Sequence, residues 1–119
     1  MPKKEIVSGN GVHHNVLASG TVITGNITSD EDFRIDGIVN GNIDCKGKII
    51  VGQNGRIKGE IGCTVLDLSG TIEGIARCSD TAIMRSTALF IGELSMNVIE
   101  VEPNAEIRAA IQTIKEENK

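Results

Sequence analysis

The chain has 119 residues and a net charge of −4, and only two of its residues are aromatic, Phe33 and Phe90. This length suits a single domain, and the shortage of aromatic side chains favours a narrow interior filled by Ile, Val and Leu. The acidic balance argues against nucleic-acid binding, which needs concentrated Lys and Arg, and no apolar run reaches the roughly 18 residues of a membrane span.

Residues 1–15 are expected to form a flexible tail. Met1–Ser8 contains two lysines but no apolar block long enough for a signal peptide. The cysteines number three, and an odd number fits a reducing compartment better than a disulfide framework. We therefore expect a cytoplasmic protein. His13 and His14 precede the first copy of the repeat and are expected to lie in a solvated segment rather than in a metal site.

A five-residue pattern then recurs along the chain, and Ile23-Thr24-Gly25-Asn26-Ile27 is its first copy. The centres of the copies are residues 25, 41, 59, 74, 92 and 109, with Ala109 in place of glycine in the last copy. The spacings between centres are 16, 18, 15, 18 and 17 residues. A period of this size is typical of a solenoid.

Three positions around each centre are apolar in every copy, whereas the residues beside the centre are mostly polar. This alternation with period two predicts strands with one buried face. The predicted inward residues two before the centre are Ile23, Val39, Ile57, Ile72, Phe90 and Ile107. Those two after it are Ile27, Ile43, Ile61, Ala76, Leu94 and Ile111. Those eight before it are Leu17, Phe33, Val51, Leu66, Met84 and Val101.

The dipeptides Asp36-Gly37 and Asn54-Gly55 stand just before two copies of the pattern. Such dipeptides tolerate sharp turns, so they predict a bend at these positions. A meander of hairpins needs no period near 17, but a coil of three short strands does. We therefore predict an all-β, single-stranded parallel β-solenoid of about six coils over residues 16–113, followed by a short polar tail, 114–119. Ile107, Ile111 and Ile114 also fit one face of a helix, so a short C-terminal capping helix is an alternative.

The cysteines Cys45, Cys63 and Cys78 each follow a centre by four residues, which predicts an inward row on consecutive coils. A metal site or redox switch is the functional alternative, but small buried core residues are the usual role of such cysteines. The acidic cluster at 30–32 lacks the ligand spacing of a calcium loop. We predict no catalytic, cofactor-binding or metal-binding residues, and hence no enzyme and no cofactor.

Two stretches, 32–43 and 49–61, resemble consecutive coils of bactofilins, and the similarity extends over about residues 16–112. The resemblance implies a right-handed β-helix with triangular coils that polymerises end to end without nucleotide. It implies a bacterial cytoskeletal scaffold, with itself as partner, that supports cell shape or the localisation of cell-wall and other proteins. Cell-wall enzymes and membrane-associated proteins are the further partners implied. The family's short N-terminal membrane-binding motif is not evident in Met1–Ser8, although the inner face of the membrane is an expected location.

Both ends of an uncapped solenoid expose unpaired strand edges and a slice of apolar core. We therefore predict a polymer interface formed by Leu17, Ile23, Ile27, Phe90, Val101, Ile107 and Ile111. Two alternatives are an acyltransferase of the left-handed hexapeptide-repeat type and a non-polymerising binding module. The first prefers spacings in multiples of six and usually a histidine within a coil; the second would use a flat face containing Ile75 and Ile91.

Overall fold

In the computed structural model, which describes residues 14–114, the chain is built from β-strands and turns, and these residues contain no helix. The strands are β1 His14–Leu17, β2 Val22–Thr24, β3 Ile27–Ser29, β4 Asp32–Ile35, β5 Ile38–Asn40, β6 Ile43–Cys45, β7 Lys48–Val51, β8 Arg56–Leu68, β9 Thr71–Met84, β10 Leu89–Met96, β11 Val98–Val101 and β12 Glu106–Thr113. The strands within residues 14–114 pair in parallel.

Each strand pairs with the strand that lies one coil further along the chain. Ile23 of β2 is in register with Val39 of β5, and Val39 is in register with Ile57 of β8. Since the chain meets its own next coil at every step, it winds as a β-solenoid of about six turns. The prediction of an all-β solenoid is confirmed. We name residues 14–29 the first coil and residues 98–113 the last coil.

The rows of inward residues beside the centres are confirmed as continuous ladders. Ile23, Val39, Ile57, Ile72, Phe90 and Ile107 stack in register from the first coil to the last. Ile27, Ile43, Ile61, Ala76, Leu94 and Ile111 form a second ladder. Every member in the four middle coils is at most 2% exposed, so β-branched and aliphatic side chains fill the narrow interior.

The residues eight before each centre are buried in the middle coils, as predicted, but they belong to two ladders and not to one. Leu17 stacks on Ile35, not on Phe33, and this ladder continues through Val51, Leu68, Met84 and Val101. Phe33 belongs to a parallel ladder with Asn15, Ile49, Leu66, Ala82 and Ile99. The coils differ in length by up to three residues, so a fixed distance from the centre selects one ladder in some coils and its neighbour in others.

The central glycines form a row in which each lies against the carbonyl oxygen of the preceding one. A Cβ on Gly41 would lie 1.8 Å from the Gly25 oxygen, and a Cβ on Gly59 would lie 1.9 Å from the Gly41 oxygen. Both glycines also have positive φ angles, 155° and 149°, where an L-residue is strained. The glycine therefore serves the close approach of neighbouring coils.

The last coil ends as a strand, so the alternative of a C-terminal capping helix is wrong for the described residues. β12 pairs along its whole length with β10, and Ala109 lies in register with Gly92. Ala109 is not among the positive-φ residues, and its side chain packs against the core. The alanine thus replaces glycine where the backbone has left the conformation that excludes a side chain.

Candidate functional site

The strands at both ends of the solenoid are paired along one edge only within residues 14–114. β1, β2 and β3 pair with β4, β5 and β6, and β11 and β12 pair with β9 and β10. The free edge of such a strand presents N–H and C=O groups to any further strand that approaches it. Each end coil is therefore a candidate surface for adding another strand layer.

At the first coil, the predicted interface residues lie on three successive strands. Leu17 in β1 is buried, with 7% of its surface exposed. Ile23 in β2 and Ile27 in β3 are partly buried and pack against the core. These side chains lie at the end of the stack, and the corresponding residues one coil further in, Ile35 and Val39, are fully buried.

At the last coil, the predicted residues are more open. Val101 and Ile111 are 51% and 47% exposed, whereas Ile107 is partly buried against the core. Phe90, directly beneath Ile107 in the same ladder, has no exposed surface. Phe90 therefore supports the end surface from below and does not belong to the exposed part of it.

The predicted residues at the two ends occupy opposite termini of the same three ladders. Leu17 and Val101 end one ladder, Ile23 and Ile107 end the second, and Ile27 and Ile111 end the third. The two end surfaces thus present equivalent apolar positions, and each of these residues stacks on a ladder neighbour on one side only. Their use as a polymer interface stays a prediction.

Sequence reasoning missed Asn15 and Ile99, which are the two ends of the ladder that contains Phe33. Asn15 is buried, and its Nδ2 donates a hydrogen bond to Ser29 Oγ over 2.9 Å, which closes the inside of the first coil. Ile99 is partly buried at the other end. The signal was present in the two-residue spacing of Phe33 from Ile35 and of Ile49 from Val51, since both members of such a pair face inward.

Asp67, Arg85 and Glu102 form a charged cluster that links the last coil to the coils before it. Arg85 Nη2 lies 2.8 Å from Asp67 Oδ2, and Arg85 Nη1 lies 3.1 Å from Glu102 Oε2. Glu102 Oε1 also accepts a hydrogen bond from the Ser86 backbone N–H. The bidentate hydrogen bonds from Arg85 lower the pKa of Asp67 below its ordinary value.

The three cysteines are buried and unpaired, as their inward positions predicted. The Cys63 thiol donates to Cys78 Sγ over 3.9 Å, and Cys45 donates to the Glu31 carbonyl oxygen over 3.2 Å. The hydrogen bond to Cys78, together with burial, raises the pKa of Cys63, and burial raises the pKa of Cys45. In the part of the chain that the structure describes, no three His, Cys, Asp or Glu side chains are grouped to hold a metal ion.

No helix among residues 14–114 is long and apolar enough to cross a membrane. The candidate site consists of the two end coils, in which strands paired on one side only surround the last apolar residues of the ladders. This arrangement defines a parallel β-solenoid repeat protein whose end strands, within residues 14–114, pair on one side only.

The chain belongs to the bactofilin family, because the family model described as polymer-forming and cytoskeletal matches residues 15–112. It is similar to Bactofilin BacO of Myxococcus xanthus (strain DK1622), with 26% identity over 82% of this chain and 78% of the relative. It is also similar to Bactofilin BacP of the same organism, with 21% identity over 91% of this chain but 45% of that relative. No solved structure matches the chain.

Proposed function

We propose that the protein is a cytoskeletal scaffold that assembles end to end into filaments without nucleotide, metal or cofactor. The observation that carries the proposal is the pair of open end coils, in which strand edges are paired on one side only within the described residues. The family to which the chain belongs is polymer-forming and cytoskeletal, which supports the same function.

The energetic case rests on the contrast between the middle and end coils. Val39, Ile57 and Ile72 in the middle of one ladder are at most 2% exposed, whereas the end positions of the ladders reach 51% at Val101. Adding a coil from another copy removes this apolar surface from water and gives the edge N–H and C=O groups new partners. The gain from new strand pairing is absent for contacts between the outer faces, because the strands of the middle coils already pair on both sides within the chain.

The test is sedimentation and negative-stain electron microscopy of the full chain and of Ile107→Arg. The wild-type protein is expected to form filaments in the absence of ATP and GTP. The variant places a charge at the end of a ladder, and it should form only short species while circular dichroism shows an intact β-solenoid, since coils depend mainly on their neighbours. A wild-type chain that stays monomeric at high concentration would remove the basis for the proposal.

Ile75→Arg is the matched control, because it adds the same charge to an outward position of a middle coil. Ile75 is in register with Glu60 on one side and Glu93 on the other, so the new guanidinium has carboxylate neighbours. The control is expected to form filaments of wild-type length. Short species from this control as well would point to lateral contacts or to general destabilisation instead of end-to-end contacts.

We further propose a cytoplasmic location, at the inner face of the cell membrane, and a role in cell shape or in the positioning of cell-wall and other proteins. Three buried, unpaired cysteines fit a reducing compartment. The partner proposed first is a second copy of the chain, and cell-wall enzymes and membrane-associated proteins follow. Fractionation of cells with a tagged full chain, read against membrane and cytosolic markers, tests the location.

A further inference from the structure

We propose that a hollow on the outer surface of the middle coils binds a phosphoryl group, carried either by a free phosphate ester or by a phospholipid headgroup. The hollow is formed by β5, β8 and β9, which pair side by side through the register Asn40, Lys58, Glu73. It lies on neither end coil, so the inference goes beyond the proposed end-to-end assembly and does not depend on it.

The hollow has a volume of about 210 Å³ and is crossed by two columns of outward side chains. One column consists of Ile38, Arg56 and Thr71, and the other of Asn40, Lys58 and Glu73. Residues two apart on a strand point to the same face, so Arg56 and Lys58 lie side by side on β8. The hollow therefore brings together two cations from one coil with amide and hydroxyl groups from the coils on either side.

Arg56 differs from the other arginines in having no carboxylate beside it. It is exposed, and it makes no ion pair with any residue in 14–114. Its ladder neighbours, Ile38 and Thr71, carry no charge. The position that a carboxylate occupies beside the other arginines is therefore open to an anion from outside the chain. Those other pairs are Arg34 with Asp36, Arg77 with Glu60, Arg85 with Asp67 and Arg108 with Glu106.

The donors around Arg56 suit a phosphoryl group better than a carboxylate. The guanidinium is a planar fork that binds phosphate through two hydrogen bonds, Lys58 adds a second positive charge, and the Asn40 amide and Thr71 hydroxyl can donate as well. A phosphoryl group has three acceptor oxygens, whereas a carboxylate has two. Glu73 Oε1 lies 3.8 Å from Lys58 Nζ and offsets part of its charge. Two cations and one carboxylate still leave a net charge of +1 for the anion.

A second hollow, of about 330 Å³, lies beyond the row of central glycines and has the opposite charge. Its charged side chains are Asp44, Glu60 and Arg77, which leave a net charge of −1. Arg77 Nη1 is 3.8 Å from Glu60 Oε1, so this arginine has a carboxylate partner within the chain. The second hollow is therefore a control surface of similar construction that should not bind an anion.

The test is equilibrium dialysis of the full chain against radiolabelled inorganic phosphate at about 10 mM salt, where exposed charges are only weakly screened. Arg56→Gln should weaken binding about tenfold, the loss expected for one charge-assisted pair. Glu73→Gln should strengthen binding by up to about fivefold, because it releases Lys58 from a surface ion pair. Arg77→Gln removes the same charge from the control surface and should leave binding unchanged.

Further measurements distinguish the two sources of the phosphoryl group. Flotation with phosphatidylglycerol vesicles that is lost in Arg56→Gln, and that phosphatidylcholine vesicles do not give, would identify a lipid headgroup. Binding of glycerol 3-phosphate in dialysis, without flotation that depends on Arg56, would identify a free phosphate ester. Either result supports the inference.

The inference is wrong if the wild-type chain binds neither phosphate nor vesicles. It is also wrong if Arg56→Gln loses no more affinity than Arg77→Gln, since binding would then follow net charge alone. Circular dichroism checks that each variant is folded. Electron microscopy of the same variants reports filaments separately, so a failure of phosphate binding leaves the proposed function standing, and an absence of filaments leaves the phosphate measurement valid.

Discussion

Gly59 lies directly against Gly41 on the preceding coil, so closely that a Cβ on Gly59 would be 1.9 Å from the Gly41 carbonyl oxygen. Real Cβ contacts do not reach this distance, and the obstructing atom is backbone that is fixed in the parallel ladder. The φ angle of Gly59, 149°, adds a second reason against any side chain. The spacing between coils therefore depends on the absence of one carbon atom per turn.

Gly59→Ala should accordingly lower the free energy of unfolding by more than about 3 kcal/mol, because backbone strain of about 1–3 kcal/mol adds to a contact that only movement of the coils relieves. Denaturant unfolding followed by circular dichroism provides the measurement. Gly25→Ala is the control, since its φ angle is 132° but nothing lies within 4 Å of the added Cβ. Equal losses for the two variants would show that the close approach contributes nothing.

A carboxylate in a middle ladder should unfold the protein. Val39 and Ile57 are at most 2% exposed and stack on each other. Val39→Asp or Ile57→Asp would bury an unpaired charge, which costs several kcal/mol or more, a large share of ordinary domain stability. Thermal melts provide the comparison. Thr24→Asp, at an exposed position of the first coil, should melt close to wild type; wild-type melting of the Val39 and Ile57 variants would contradict the inward assignment.

The native thiols should react slowly with a maleimide or iodoacetamide at neutral pH. Cys45 and Cys63 are buried, and their raised pKa values leave little thiolate. Addition of denaturant should restore the fast reaction of ordinary exposed thiols, with its usual rise as pH approaches the normal thiol pKa. Rapid labelling of all three cysteines in the folded protein, or zinc bound in stoichiometric amount, would be inconsistent with a purely packing role.

Arg85→Met should loosen the last coil more than the body. The substitution keeps most of the aliphatic stem but removes the hydrogen bonds to Asp67 and Glu102. Amide hydrogen exchange should therefore quicken over 98–113 while the middle coils remain protected. Arg108→Met is the control, because Arg108 pairs with Glu106 on its own coil. Comparable exchange in both variants would mean that the cluster does not anchor the coil.

The same cluster gives a pH dependence with a defined sign. The folded-state pKa of Asp67 is lower than its ordinary value, so the carboxylate stabilises the fold at neutral pH. This contribution is complete above the unfolded pKa of about 4 and is lost as pH falls through the lower folded value. Asp67→Asn should remove that part of the acid sensitivity in melts recorded between about pH 7 and pH 2; an unchanged pH profile would count against it.

The sequence predicted the ladders beside the glycines, including Ile57 over Val39, because local alternation and a fixed distance from the centre describe the same strand. A fixed distance from the centre did not show that Phe33 and Leu17 lie in different ladders, since coil length varies at the corners and the distance to the previous strand varies with it. The close contact of Gly59 with Gly41 joins residues 18 apart in the chain, and no local pattern reports such an approach. The predicted interface residues followed from the ends of the repeat, whereas the exposure of Val101 and the burial of Phe90 needed coordinates.

The contacts of the glycine row all point in one direction along the chain. At Gly41, Gly59, Gly74 and Gly92 the vacant Cβ position points at a carbonyl oxygen of the coil earlier in the chain, 1.8–2.0 Å away. A ribosome releases the earlier coil first. The surface on which each coil packs is therefore synthesised before the coil itself, so co-translational folding from the N-terminus would need no part of the chain that is still to come.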